Sequence, residues 1–248
     1  MEKQIIITTS WDDGSPKDIK LAKLLKKYNM PATFYIPIKN IESRYTLTER
    51  GVISLRKMGF QIGAHTFSHP YLMKLPLGQI EKEIRSGKTV LEEYLGEKVT
   101  TFAYPHGDYN PEILSLLKRL NFEYARTIRI LQFEVNNLLT APTSNHAANH
   151  PSVHYFKELF LAKNINYSSY FFKNQIWKYS WDGQAIKNLD YVLKNGGIWH
   201  LWGHSEEIDC YSQWTQLERV LSKVSKLRNG KDVFFCDNLD SAKHYLNN

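Results

Sequence analysis

The stretch IIITTSWDDGSPKDIKLAKLLKKYNM, Ile5–Met30, changes its period halfway along. Three isoleucines followed by Thr8, Thr9, Ser10 and Trp11 are β-branched or aromatic almost throughout, and this run reads as a strand. It stops at Asp12-Asp13-Gly14. Ser15 then stands where a helix N-cap belongs and Pro16 where a first turn accepts proline, and an amphipathic helical pattern follows. Strand, turn and helix form the repeating unit of a parallel α/β fold. The turn also holds two adjacent carboxylates, which repel one another if both ionise in a dry pocket. Neighbours on a continuing strand face opposite ways, so the turn decides whether both can serve one site.

The unit recurs along the chain. Strand-like runs occupy 4–11, 32–38, 60–65, 99–105, 123–128, 197–204 and 232–237. Helical patterns lie between most of them, such as GQIEKEIRSGKTVLEEYLG with Gly96 past its end and NPEILSLLKRL opening on an Asn cap and a proline. Right-handed crossovers between parallel strands give an α/β barrel or a doubly wound sheet. No G-x-G-x-x-G or P-loop pattern follows a strand, which argues against a nucleotide-binding sheet. The rhythm breaks between about 129 and 180, a stretch rich in Asn, His, Tyr and Phe that reads as a divergent insert over one face. With no linker or internal repeat, residues 1–248 are expected to form a single domain.

Composition bounds the function. The chain has 248 residues, 42% hydrophobic and 23% charged, which is ordinary for a folded globule. Its net charge of +7 comes from lysines and arginines scattered over amphipathic segments, so a solvated surface is expected and nucleic acid is not. Three consecutive isoleucines are too few for a signal-peptide core, and no run approaches transmembrane length, so the expected location is cytoplasmic. Two cysteines, Cys210 and Cys236, imply no disulfide framework.

The chemistry is carried by a second stretch, QIGAHTFSHPYL. His65 closes a strand and His69 follows four residues later, a spacing that lets two imidazoles converge on one cation. In parallel α/β folds functional side chains gather at the carboxyl ends of strands, where both Asp12-Asp13 and His65 fall. One carboxylate with two imidazoles makes a three-ligand set with open positions for water and substrate. The other carboxylate is then free to act as general base. A divalent cation also relieves the repulsion between the two acids.

Four stretches, TSWDDGSP, HTFSH, FAYPHG and IWHLWGH, occur in the order of the motifs of NodB-like polysaccharide deacetylases, the fourth carbohydrate esterase family, and the chain resembles a divergent member of it. The resemblance implies a single-domain distorted (β/α) barrel of about seven parallel strands that removes N-acetyl groups from sugars. It implies one divalent metal, zinc first, with cobalt, nickel, manganese or iron as alternatives. Carried over by position, it makes Asp12 the base, Asp13, His65 and His69 the metal ligands, and His204 the general acid, with Thr66 and Ser68 bracing the histidine loop. The backbone N–H of His106 falls where the family stabilises the oxyanion, and Tyr104, Pro105, His106 and Trp202 are the expected substrate contacts. His200 shares the strand face of Trp202 and His204 but sits one layer deeper, as a hydrogen-bonded core histidine. The expected partner is an acetylated carbohydrate, with peripheral contact to a lipid-linked substrate and no obligatory protein partner.

Two family motifs depart. The third usually carries an arginine where this chain has Ala103, and Arg126 in YARTIR is the candidate replacement. The fourth, of Asp-x-x-Asp-Trp type, has no match; APTSNHAANHPSVH stands in its place. There His146, His150 and His154 recur every four residues, but Pro151 breaks the helix that would align them, leaving His146 as the one expected to reach the cleft in support. The same metal site would also suit a deformylase, an O-acetyl esterase or a cyclic amidase. A non-catalytic carbohydrate-binding module is the alternative from outside enzymology.

Overall fold

A computed structural model describes residues 4–42, 45–230 and 232–247. In chain order the first half comprises β1 (Ile5–Asp12), α1 (Asp18–Lys27), β2 (Thr33–Ile36), α2 (Glu49–Lys57), β3 (Gln61–Ala64), α3 (Leu77–Leu95), β4 (Thr101–Ala103), α4 (Pro111–Arg119) and β5 (Tyr124–Arg126). The second half adds β6 (Asn145–His146), α5 (Ser152–Ala162), α6 (Ile165–Lys173), α7 (Trp181–Asn195), β7 (Gly197–Gly203), α8 (Ser205–Cys210), α9 (Trp214–Ser225), β8 (Val233–Phe235) and α10 (Asn238–Leu246). All pairs are parallel, in the order β5-β4-β3-β2-β1-β7-β6, with β8 beside the start of β1. The result is a distorted (β/α) barrel in a single domain. The seven strands expected from sequence are present, the fourth trimmed to three residues.

β1 is the organising strand. Its even-numbered residues face the barrel interior, where Ile6 packs with Tyr35, Tyr124 and Ile198. Its odd-numbered Ile7 and Trp11 join the larger core between sheet and helices. The three hydroxyls in this buried strand are all tied: Thr9 donates to the Pro31 carbonyl (2.7 Å), Ser10 Oγ pairs with His200 Nε2 (2.8 Å), and Thr8 accepts from Asn238 (2.9 Å). Asn238 starts α10, whose Leu239 and Ala242 belong to the same interior cluster. Pairing of the hydroxyls lets a central strand be partly polar, since a buried hydroxyl left without a partner is costly.

Within 129–180, the part between Ala141 and His146 runs along the opening between β5 and β7. Ala141 donates to the Ala125 carbonyl (3.0 Å) and accepts from Thr127 (2.9 Å), Ser144 donates to the His200 carbonyl (3.2 Å), and β6 pairs with Leu201 and Trp202. This segment therefore bridges the barrel's two edges. Its pairing is too short to leave a period-2 pattern in the sequence. At the first turn, the helix starts later than Ser15 suggests. Pro16 and Lys17 form a turn, Ser15 Oγ accepts from Lys17 (3.2 Å), and α1 begins at Asp18.

Candidate active site

Asp12 ends β1 on its interior face. The chain then enters the left-handed region at Asp13 (φ 75°) and Gly14 (φ 61°). Aspartate tolerates that region. At Gly14 a Cβ would also lie 2.9 Å from Ile36 Cγ2, so glycine is required twice over. The turn breaks the strand's alternation and brings Asp13 over the same mouth that Asp12 faces. Both line a cleft of about 490 Å³ together with His65, His69, Tyr104, His106, Trp202 and His204.

Asp13 Oδ1 stands 3.5 Å from His65 Nε2 and 3.2 Å from His69 Nε2. His65 Nδ1 donates to the Ala103 carbonyl at 2.8 Å, which fixes the ring with Nε2 turned toward Asp13. Burial and the neighbouring His65 push the His69 imidazole down to about 3. Burial works to raise Asp13, but His65, His204 and His69 hold its carboxyl well below the usual range. Two imidazoles and a carboxylate whose buried Oδ1 has no hydrogen-bond partner make a donor set that fits one divalent cation.

The histidine loop is held from two sides. His69 N–H donates to Thr66 Oγ1 (3.0 Å), and Ser68 Oγ donates to Glu83 (2.9 Å), which also accepts from the Phe67 and Ser68 amides. Behind the loop, a Cβ on Gly87 of α3 would sit 2.4 Å from the Thr66 carbonyl oxygen, closer than any packing allows. Gly87→Ala is therefore expected to push the loop outward and cost about 1–3 kcal/mol through overpacking. Thermal unfolding checks the stability.

Asp12 is 3% exposed and forms an ion pair through Oδ2 with Arg126, which is fully buried; Asp12 Oδ1 has no hydrogen-bond partner. Arg126 stands opposite Ala103 in the β4–β5 register. Its guanidinium lies 5.3 Å from the Tyr35 ring centre and 4.8 Å from that of Trp202.

On the far side of the mouth, His204 Nε2 is 3.8 Å from Asp13 Oδ2 and His204 Nδ1 is 2.8 Å from Glu207 Oε2. Burial opposes the imidazolium, but the Glu207 hydrogen bond and the Asp13, Glu207 and Asp12 carboxylates hold its pKa up at about 9. Trp202 stacks on His146 (3.9 Å between ring centres). His146 Nδ1 pairs with His150 Nε2 (2.8 Å), and His150 stacks on His154 (4.1 Å). Pro151 does break the helix, yet the three rings still form a row, because β6, the following loop and α5 each supply one. His106 (φ 57°) stacks on Tyr71 at 3.5 Å. Its backbone N–H donates to no group among the described residues. Pro105 is buried beside it and His200 lies deeper, paired with Ser10; neither lines the cleft.

Three carboxylates at the cleft were not singled out from sequence. Glu207 bonds His204, Glu42 lies 3.4 Å from His69 Nδ1, and Glu206 accepts from Ser15 (2.7 Å). The signal for Glu207 was its i,i+3 relation to His204 in HSEE, hidden because a six-residue helix leaves no periodicity. Glu42 comes from the loop after β2, where spacing carries no information.

A family model described as polysaccharide deacetylase matches residues 2–125. The Bacillus subtilis protein YxkH is 31% identical over 127 residues, covering 51% of this chain and 45% of that one. Peptidoglycan-N-acetylmuramic acid deacetylase PdaC, also of Bacillus subtilis, is 31% identical over 117 residues, covering 46% of this chain and 24% of its own. The chain thus spans less than half the length of these relatives. A family 4 carbohydrate esterase from Streptomyces lividans, solved in complex with acetate, superposes with a TM-score of 0.57 at 13% identity, over 98% of this chain and 96% of that one. At that identity the likeness speaks for the fold alone.

Proposed function

The chain belongs to the polysaccharide deacetylase family, and from that premise we propose that it is a metal-dependent hydrolase that removes an N-acetyl group from a sugar. One observation carries the reading: an imidazole pair with a carboxylate, a second carboxylate pinned by a buried arginine, and a carboxylate-bound imidazole all face one cleft. Asp13, His65 and His69 would hold the metal; two nitrogens and an oxygen suit zinc and its neighbours. When bound, a divalent cation supplies an electrophile that acidifies water and polarises the acyl carbonyl.

The remaining steps belong to the chain. Arg126 occupies Asp12 Oδ2, so Oδ1 is the oxygen that takes the proton from the attacking water. The His106 N–H is available to the developing oxyanion, a contribution of about 3 kcal/mol to the barrier. His204, oriented by Glu207 through Nδ1, delivers a proton from Nε2 to the departing amine nitrogen. Trp202, pressed against His146, is the wall for the acyl methyl.

Glu207 raises the His204 pKa, so Glu207→Gln should lower it. A general acid works protonated. The alkaline limb of kcat is therefore expected to move to lower pH, with kcat down about tenfold and bound metal unchanged. A pH–rate profile alongside metal analysis reads both.

The substrate test is acyl release from a panel of N-acetylated, O-acetylated and N-formylated sugars by the metal-loaded protein. N-acetyl sugars are expected to be hydrolysed fastest. Release from formamides or esters alone would reassign the acyl group, and release from none would leave a carbohydrate-binding module.

A further inference from the structure

The helices α5 and α6 carry an apolar surface that nothing among the described residues covers. Val153, Phe156 and Phe160 follow one another at i, i+3 and i+7, one face of a helix, and Phe160 and Ile165 are 80% and 84% exposed. Phe156 and Phe160 on α5 and Phe172 on α6 line an open groove of about 440 Å³, with the Phe156 and Phe172 rings 6.0 Å apart. An exposed apolar surface of this kind marks an interaction site.

Along α5, α6 and the turns that join and follow them, the exposed charge has one sign, while the exposed Asp190 of α7 lies on the side of α6 that carries Tyr170. Lys157, Lys163, Lys173 and Lys178 are all exposed. Between residues 152 and 180 the one acidic residue is Glu158, which is buried and bonded to Arg129 and the Ile130 amide. Exposed aromatic and aliphatic side chains on two helices whose own exposed charges are all lysines complement an anionic lipid surface: the apolar groups enter the headgroup boundary and the lysines meet the phosphates. No helix among the described residues is long and apolar enough to cross a membrane, so the contact would lie along the surface.

We infer that the α5–α6 face docks on an anionic phospholipid bilayer and so presents the cleft to substrates held there. The cleft is adjacent: from its wall at Trp202 a continuous row of rings, His146, His150 and His154, leads directly into α5. The docking itself rests on the surface alone. The claim that it delivers a lipid-linked acetylated sugar rests on the proposed function, and the test separates the two.

The intact protein is sedimented with phosphatidylcholine vesicles, with and without phosphatidylglycerol. Binding is expected only with the anionic lipid, and to weaken as salt rises. Phe160→Ser combined with Ile165→Ser should reduce it at least about tenfold, and Lys157→Glu with Lys163→Glu should remove the preference for phosphatidylglycerol. Circular dichroism and acetate release from a water-soluble substrate should be unchanged in both variants. Absent binding, or equal binding by wild type and both variants, would overturn the inference. So would a dimer in analytical ultracentrifugation that the Phe160/Ile165 variant abolishes without any vesicle binding, since the surface would then belong to a second copy. If no soluble substrate is hydrolysed, the proposed function fails while the vesicle result still stands or falls by itself.

Discussion

Asp12→Asn is expected to lower acyl release by about 10³-fold while leaving the bound metal in place. Asparagine retains an oxygen for Arg126 and nearly the same volume, but it cannot accept a proton from water. Asp13, His65 and His69, whose ligand atoms converge within 4.8 Å, are untouched by the change. His65→Ala is expected to give the opposite pattern: it removes one of the three proposed ligands, so metal and activity should be lost together. Metal content and acyl release measured on the same preparations distinguish the two. If Asp12→Asn shed its metal, Asp12 would be a ligand and the division of labour between the two aspartates would be wrong.

Arg126→Met is the second large effect. The guanidinium is fully exposure-free and faces a carboxylate that is itself 3% exposed. Removing one partner of such a pair leaves an uncompensated buried charge, and the expected cost is about 3–5 kcal/mol. Activity should fall with it, since nothing else among the described residues bonds the Asp12 carboxylate. The double variant Asp12→Asn, Arg126→Met removes both charges. It should therefore be more stable than Arg126→Met alone, a non-additivity expected of groups in direct contact. Urea unfolding of the four proteins closes this cycle. Additive losses would mean that the pair has no coupling and that Arg126 does not hold Asp12.

Much of this was legible in the sequence because the strand–turn–helix unit is local. Ile5–Asp12 announces itself through β-branched residues, and the HTFSH spacing marks two imidazoles that can converge on one point. The barrel's completion was not legible. Ala141–His146 bridges β5 and β7 through carbonyls and amides, and backbone pairing over so few residues imposes no side-chain pattern. Arg126 could be proposed from sequence as a replacement for the arginine absent at 103, but whether it met Asp12 or solvent depended on the β4–β5 register, where it faces Ala103. Glu207 and Glu42 were invisible for a related reason: a carboxylate in a short helix or a loop looks like ordinary surface charge until the chain folds. The acid pair itself changed meaning. Asp12 obeys the strand's alternation and Asp13 escapes it through a left-handed turn, which is how two neighbours reach one mouth.

The most direct measurement strips the protein with a chelator, returns zinc in increments, and follows bound metal and acetate release from an N-acetylated sugar together. The account predicts negligible release from the stripped protein and recovery in proportion to zinc, saturating at one ion per chain. Undiminished release from metal-free protein would contradict it.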